Sequence, residues 1–98
     1  MYLHPNTKIR KNSEPIIFIH GTGMDHTVWT LPVRHFSRKK RDVMAIDLPG
    51  HGNNKDKPLD SINKISKYIY NFLDKNSITK CSIVGHSMGS LIALEMAS

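Results

Sequence analysis

Short apolar runs alternate along the chain with longer segments whose apolar positions recur at helical spacing. The apolar runs are followed by glycine or proline, which is typical of strands that end in tight turns. They predict strands over residues 15–20, 42–48 and 80–84. The remaining segments predict helices over residues 27–39, 61–73 and 87–98. Such alternation indicates an α/β fold, with a mostly parallel sheet and helices packed on it.

The last predicted helix, residues 87–98, is apolar on nearly all sides, a pattern typical of a buried helix. It reaches Ser98 without a glycine cap, a proline or any loss of apolar character. A buried helix needs more sheet to cover it, so we expect the chain to be the N-terminal part of a longer domain. On this interpretation residues 1–14 are a remnant of leading strands, and residues 15–98 are a domain truncated after this helix.

Composition bears on the compartment and on the partners. The 98 residues suffice for one small domain, and no apolar run approaches the roughly 18 residues that a transmembrane helix needs. The polar N-terminus lacks the apolar stretch of a secretory signal, and the single cysteine, Cys81, cannot form an internal disulfide. These features predict a cytoplasmic protein with no membrane partner, in which Cys81 is a buried, inert thiol.

The net charge of +6 raises the question of nucleic-acid binding. The densest basic run, residues 34–41, lies where the first predicted helix ends, and cations are favoured there by the negative end of the helix dipole. Because the run matches no reader motif, we interpret it as a solvated helix end and expect no nucleic-acid partner. No cluster of His, Cys or acidic residues has metal-ligand spacing, so neither a metal nor a cofactor is expected.

The strongest chemical signal is Gly85-His86-Ser87-Met88-Gly89, between a predicted strand and a predicted helix. This is the context of a nucleophile elbow, a sharp turn that exposes a serine hydroxyl while straining its backbone. Small residues two positions before and after the serine let neighbouring backbone pass close. The sequence therefore predicts Ser87 as a catalytic nucleophile. The amide of Met88, at a helix N-terminus, is predicted to donate to a developing oxyanion.

A second glycine-rich motif, His20-Gly21-Thr22-Gly23, follows the first predicted strand. Glycines at this point let the backbone turn and present its N–H groups. In acyl-transfer enzymes with a nucleophile elbow, the second oxyanion donor comes from the equivalent loop. We predict that the donor is the amide of Thr22, with the amide of Gly23 as the near alternative.

The third motif, Asp47-Leu48-Pro49-Gly50-His51-Gly52, follows the second predicted strand. Pro49 fixes one backbone dihedral, while Gly50 and Gly52 relax others, so the motif predicts a rigid turn. A structural role is therefore preferred to a catalytic one for Asp47 and His51.

The chain closely resembles the α/β-hydrolase superfamily from about Pro15 to Ser98. It contains, in the order of that family, the motif at residues 20–23, then Trp29, the motif at residues 47–52 and the elbow motif at residues 85–89. The resemblance implies that the predicted strands are the family's third, fourth and fifth, with the third between the other two. It implies a serine hydrolase whose ligand binds at a topological switch point, at the carboxyl ends of the strands. Ser87 and both oxyanion donors fall at that point.

The chain departs from the family pattern in three respects. Asn54 stands where the loop of the family usually has a serine, and residues 1–14 are too few for a full pair of leading antiparallel strands. The family's triad runs Ser, then Asp or Glu, then His, but Ser87 is followed by one acid, Glu95, and by no histidine. Glu95 lies roughly 12 Å along the same helix and cannot orient a base for Ser87.

The earlier histidines offer little replacement for the missing base. His86 adjoins Ser87, but adjacent side chains diverge at a strand end, so we expect it to pack beside the elbow. His20 is expected to form local hydrogen bonds, and His51 is the weak remaining candidate. Three others are interpreted as surface residues: His4, His26 and His35.

Two classes of function follow. In the first, the parent protein is a serine hydrolase, an esterase-like enzyme that acts on an ester, thioester, lactone or similar small acyl substrate through an acyl-enzyme. Transfer of the acyl group to an acceptor other than water stays open in this class. In the second, the chain is a non-catalytic remnant or binding module that uses the same crevice. The 98-residue chain alone is expected to be catalytically inactive and poorly folded.

Overall fold

The structure, a computed structural model, describes residues 2–4 and 14–98, which form a sheet with helices on both faces. Its strands are β1 (Tyr2–His4), β2 (Ile16–Ile19), β3 (Val43–Asp47) and β4 (Ser82–Gly85). A 3-10 turn at His26–Trp29 leads into α1 (Thr30–Arg38); α2 is Ile62–Lys75 and α3 is Met88–Ala97.

The strand order is β1-β3-β2-β4. Strand β2 pairs in parallel with β3 on one side and with β4 on the other, so that Ile19 lies beside Ile46 and Gly85. The predicted parallel sheet, with the first of its three strands in the middle, is confirmed. The three-residue strand β1 pairs antiparallel with β3 at the edge of the sheet.

Alternate residues of the central strands enter two different cores. Ile17 and Ile19 face a large cluster built with α2 and α3, while Ile16 and Phe18 face a smaller one built with α1. This alternation is the expected consequence of the two-residue period of a strand. From the carboxyl end of β2 the chain passes to α1 on one face of the sheet. From the carboxyl end of the neighbouring β4 it passes to α3 on the other face. The carboxyl end of β2 is therefore a topological switch point.

The ends of the helices follow local capping chemistry. The hydroxyl oxygen of Ser61 accepts a hydrogen bond from the amide of Lys64 at 3.1 Å and caps α2, whereas Asp60 pairs with the side chain of Lys64. The first helix begins later than predicted. Asp25 accepts a hydrogen bond from the amide of Thr27 at 2.9 Å and starts a 3-10 turn, and α-helical geometry begins only at Thr30.

Two expectations about burial are corrected. Helix α3 is buried on one side only, since Ile92 and Met96 are in the core while Leu91 and Leu94 are 53% and 70% exposed. Cys81 lies just before β4 rather than inside a strand and is half-buried, and burial raises the pKa of its thiol. None of the helices in the described residues is long and apolar enough to span a membrane.

Candidate active site

Ser87 lies in the turn between β4 and α3, with φ 57° and ψ −122°. A positive φ is rare for a residue with a side chain, and holding one there costs roughly 1–3 kcal/mol, a strain that concentrates at functional sites. The side chain of Ser87 is exposed. The turn thus presents an accessible hydroxyl on strained backbone.

Close backbone contacts surround this turn and leave no room for side chains. A Cβ at Gly85 would lie 2.2 Å from the carbonyl oxygen of Gly89, and a Cβ at Gly89 would lie 2.1 Å from that of Ile19. A Cβ at Gly21 would lie 2.9 Å from the Cβ of Ser87. The ends of β2 and β4 and the start of α3 therefore converge, which brings the loop after β2 against Ser87.

That loop is a tight turn over residues 21–24. The amide of Met24 donates to the carbonyl of Gly21 at 3.2 Å, and Gly23 has φ 75°, as the third position of a type II turn requires. Thr22 occupies the exposed corner, and its hydroxyl donates to the sulfur of Met88 at 3.1 Å. The two residues predicted to supply oxyanion donors are thus in contact beside Ser87.

The first turn of α3 is closed by two backbone hydrogen bonds to the elbow. The amides of Gly89 and Ser90 donate back to the carbonyls of His86 and Ser87, both at 2.9 Å. Met88 precedes these bonds, and the amide at this position of a helix has no acceptor within the helix. The positive end of the helix dipole lies at the same place and favours negative charge there.

Asp47 is fully buried and organises the neighbouring loop. Its carboxylate accepts hydrogen bonds from the amide of His26 at 2.7 Å, from the Nδ1–H of His26 at 3.0 Å and from the amide of Asn53 at 2.9 Å. Gly52 packs directly on the carboxylate, where a Cβ would lie 2.5 Å away. Asp47 therefore ties the 3-10 turn before α1 to the loop after β3.

This network corrects the interpretation of His26 as a surface residue, because its side chain is only 13% exposed. A carboxylate only accepts hydrogen bonds, so Nδ1 of His26 carries the proton that it shares with Asp47. The neighbouring Asp25 caps the same turn. No local sequence pattern pairs His26 with an acid 21 residues away, and only the fold brings them together.

His20 is buried, and both of its ring nitrogens are occupied. Nε2 accepts from the amide of Leu48 at 3.1 Å, so Nδ1 carries the proton and donates to the carbonyl of Gly21 at 2.8 Å. Burial lowers the pKa of His20, which favours this neutral form. Its ring lies 5.0 Å from that of His51 between centres, at a tilt of 46°, and Nδ1 of His51 donates to the carbonyl of Pro49. His20 is thus a positioning residue for the loop after β2.

The structure brings no base to Ser87 from the described residues. His86 is exposed and contacts the edge of Trp29 at 6.5 Å between ring centres, and Trp29 in turn packs on Phe18 at 4.9 Å. Glu95 accepts a hydrogen bond from Asn63 on α2 at 3.2 Å, away from the turn. His35 is exposed on α1, and the side chain of His4 lies outside the described residues.

Asn54 has a larger structural role than its sequence position indicated. It is buried, and its side-chain amide donates to the carbonyl of Asp47 at 2.8 Å and to the hydroxyl of Tyr68 at 3.2 Å. Its amide oxygen accepts from the backbone of Asp56 at 2.9 Å. Asn54 therefore ties the loop after β3 to α2. The part of the chain that the structure describes holds no group of three or more His, Cys, Asp or Glu placed to bind a metal.

Comparison with known proteins assigns the chain to a family. The sequence profile of the alpha/beta hydrolase fold family matches residues 14–98, and the chain belongs to that family. Among solved structures, a carboxylesterase study of Nitrososphaera gargenis provides one that superposes with a TM-score of 0.79 at 27% identity, over 88% of this chain and 32% of that one.

Curated proteins of similar sequence match most of the chain as well. The chain is 31% identical over 90 residues to a putative esterase/lipase of Mycoplasma pneumoniae, covering 89% of this chain and 33% of that protein. It is 33% identical over 84 residues to a dihydrolipoyllysine-residue acetyltransferase component of Pseudomonas putida, covering 85% of this chain and 22% of that protein. The chain thus spans a third or less of the length of these relatives.

Proposed function

We propose that the protein containing this chain is a serine hydrolase that cleaves an ester, thioester, lactone or similar acyl substrate through an acyl-enzyme. The observation that carries this proposal is the strained, exposed Ser87 at the switch point, with the turn of Thr22 in contact with Met88 beside it. The names of the Mycoplasma relative and of the Nitrososphaera structure, an esterase/lipase and a carboxylesterase, support it.

In the proposed reaction the Oγ of Ser87 attacks the acyl carbon, and its proton passes to a general base. The carbonyl oxygen of the substrate becomes an oxyanion, which the amides of Thr22 and Met88 stabilise. Removal of one such donor typically costs a factor of about 10²–10³ in turnover. Collapse of the intermediate expels the alcohol or thiol, and water then releases the acid from the acyl-enzyme.

We place the base and its acid partner outside residues 1–98, because the ring of His20 is already used and His86 lies against Trp29. Ser87 without a base is an ordinary alcohol and a poor nucleophile at neutral pH. The isolated 98-residue chain is therefore proposed to be inactive. Turnover of p-nitrophenyl esters by that chain, if lost in Ser87→Ala, would contradict this and would place a base among His20, His51 and His86.

Labelling with a fluorophosphonate probe tests the role of Ser87 in the protein as its gene encodes it. Such probes react with serines that an enzyme has activated, so we expect labelling of the native protein and none of Ser87→Ala. Ser82→Ala is the matched control, because Ser82 is an exposed serine on the same strand as the elbow. Labelling that persists in Ser87→Ala but disappears in another serine variant would sink the assignment.

Acyl transfer is the second candidate, and the acetyltransferase name of the Pseudomonas relative favours it. The same acyl-enzyme would then pass its acyl group to an alcohol or thiol rather than to water. The two reactions are separated by supplying an acyl ester with a competing thiol and quantifying the free acid and the new thioester. Accumulation of thioester that depends on Ser87 identifies a transferase, whereas free acid alone identifies a hydrolase.

A further inference from the structure

The outward face of α1 carries an unusual combination of side chains. Leu31, Arg34 and Arg38 are exposed and are spaced three and four residues apart, so they share one side of the helix. Val33 is buried against the sheet on the other side. Leu31 is 72% exposed, and Val28, in the 3-10 turn just before α1, is 47% exposed. Two large apolar side chains thus lie at the start of a basic helix face.

The charge on this face is of one sign. The chain has no Asp or Glu between residues 26 and 41, and five of residues 34–41 are Lys or Arg. Within the described residues, Arg34, Arg38 and Lys39 form no ion pair. Arg41, by contrast, donates to the carbonyl of Glu14 and helps to fix the end of the helix. The cations on the outward face are therefore available to an anionic partner.

The two kinds of side chain are ordered along the helix. The apolar pair lies at the start of α1, next to the turn whose Trp29 contacts His86 beside the elbow. The basic residues follow over a helix roughly 13 Å long and end near the amino ends of β2 and β3, where Arg41 meets Glu14. A partner that covers the whole face must offer both an apolar layer and negative charge.

We propose that this face of α1 docks the protein on an anionic phospholipid surface. Val28 and Leu31 enter the boundary between headgroups and acyl chains, while Arg34, Arg38 and Lys39 lie over the phosphates. Clusters of basic residues on an amphipathic helix bind acidic headgroups in this way. A nucleic acid would satisfy the cations but would leave the exposed Leu31 without a partner, so a lipid surface accounts for more of the face.

Peripheral docking needs no membrane-spanning helix. The proposal departs from the expectation, drawn from the sequence, that the protein has no membrane partner. The inference does not rest on the role of Ser87. It concerns a surface on α1, whereas the proposed chemistry concerns the turn between β4 and α3. Failure of one leaves the other unaffected.

Co-sedimentation of the protein, as its gene encodes it, with phosphatidylcholine vesicles tests the proposal. We expect binding when phosphatidylglycerol is included, little binding without it, and release by salt. Arg34→Glu/Arg38→Glu should weaken binding by about 25-fold or more, since one basic side chain near an anionic surface contributes about fivefold. Leu31→Ser should weaken it by about tenfold, through loss of apolar burial.

The matched control is Lys67→Glu/Lys75→Glu, which makes the same change in net charge on exposed positions of α2, across the sheet from α1. Circular dichroism melts establish that each variant is folded. The proposal stands if the α1 variants lose binding and the control does not. It is overturned if the native protein does not bind anionic vesicles, or if both pairs of variants lose binding equally. It is also overturned if an oligonucleotide displaces the protein from the vesicles while Leu31→Ser leaves vesicle binding unchanged.

Discussion

The two central strands, β2 and β3, and the elbow unit, formed by β4, the turn at residues 86–87 and α3, differ sharply in burial. Every residue of β2 and β3 is buried. In β4 the residues alternate between exposed and half-buried, and α3 shows Leu91 and Leu94 to solvent. Ser87 therefore belongs to the less buried unit.

The difference in burial separates a rigid frame, the central strands, from the unit that carries Ser87. The central strands supply the rigid frame, since helices cover both of their faces and the buried Asp47 and His20 fix the loops at their ends. The elbow unit meets this frame through the pairing of β4 with β2 and through Gly89, whose backbone packs directly on the carbonyl of Ile19. One side of α3 adds the buried Ile92 and Met96 to the core, and the other side of the unit is exposed.

Shortening one buried and one exposed side chain tests this difference most directly. Ile46→Ala in β3 should lower the free energy of unfolding by about 3 kcal/mol, because the side chain is fully buried and its loss leaves a cavity. Leu94→Ala in α3 should change it by no more than about 0.5 kcal/mol, since Leu94 is 70% exposed. Urea denaturation of the two variants, made in the protein as its gene encodes it, measures both values.

A large effect of Leu94→Ala would break the comparison. It would mean that the outer side of α3 is covered in the protein by a surface that the described residues do not provide. Ile92→Ala, on the buried side of the same helix, calibrates the response, because Ile92 is fully buried.

Adding a methyl group at the contact between the two units should have a comparable effect. Gly89→Ala places a Cβ 2.1 Å from the carbonyl oxygen of Ile19, so backbone must move, and we expect a loss of about 3 kcal/mol. Gly23→Ala is the control for backbone conformation alone, since its Cβ meets no atom within 4 Å and its φ is 75°. That variant should lose about 1 kcal/mol. Thermal melts that place the two variants together would refute the close contact.

The sequence predicted the frame well because the frame depends on local patterns. Apolar runs followed by glycine or proline located all three parallel strands. The order of the strands came from the family resemblance, and the pairing of β2 with both neighbours confirms it.

The parts that were missed depend on contacts between distant residues. His26 was interpreted as a surface residue because the sequence around it does not reveal its partner. That partner is Asp47, 21 residues further along the chain. Helix α3 appeared buried because its composition is apolar all round, but composition does not say how much sheet is present to cover it. The contact of Asn54 with Tyr68 likewise needs the fold.

The hydrogen bond between Asn54, in the loop after β3, and Tyr68 on α2 gives a smaller, more specific test. Asn54→Ser removes the amide that reaches Tyr68, and Tyr68→Phe removes the hydroxyl at the other end of the bond. A double-mutant cycle on unfolding free energy should give a coupling of about 1 kcal/mol. Asn53→Ser is the matched control, because Asn53 contributes only its backbone amide to the network. A coupling near zero would mean that α2 and the loop are not joined through this pair.

The smallest effect concerns pH and again separates the frame from the elbow. Burial lowers the pKa of His20 in the folded protein below the value of about 6.5 that it has when unfolded. The unfolded chain therefore binds a proton first as the pH falls. The stability that depends on neutral His20 is fully present above the unfolded pKa and is lost as the pH falls from there toward the folded pKa.

We expect this loss to proceed with a slope of at most about 1.4 kcal/mol per pH unit, which corresponds to one proton. Chemical denaturation at a series of pH values from neutral into the acid range measures the slope. In His20→Gln the part of the slope that belongs to His20 should disappear. We expect the variant to be less stable overall, because a flexible amide replaces the ring that packs on His51 and bonds to Leu48 and Gly21. His86→Gln, which replaces the exposed histidine of the elbow, is the reference for removing one histidine. An acid slope that survives unchanged in His20→Gln would show that another group carries the pH dependence.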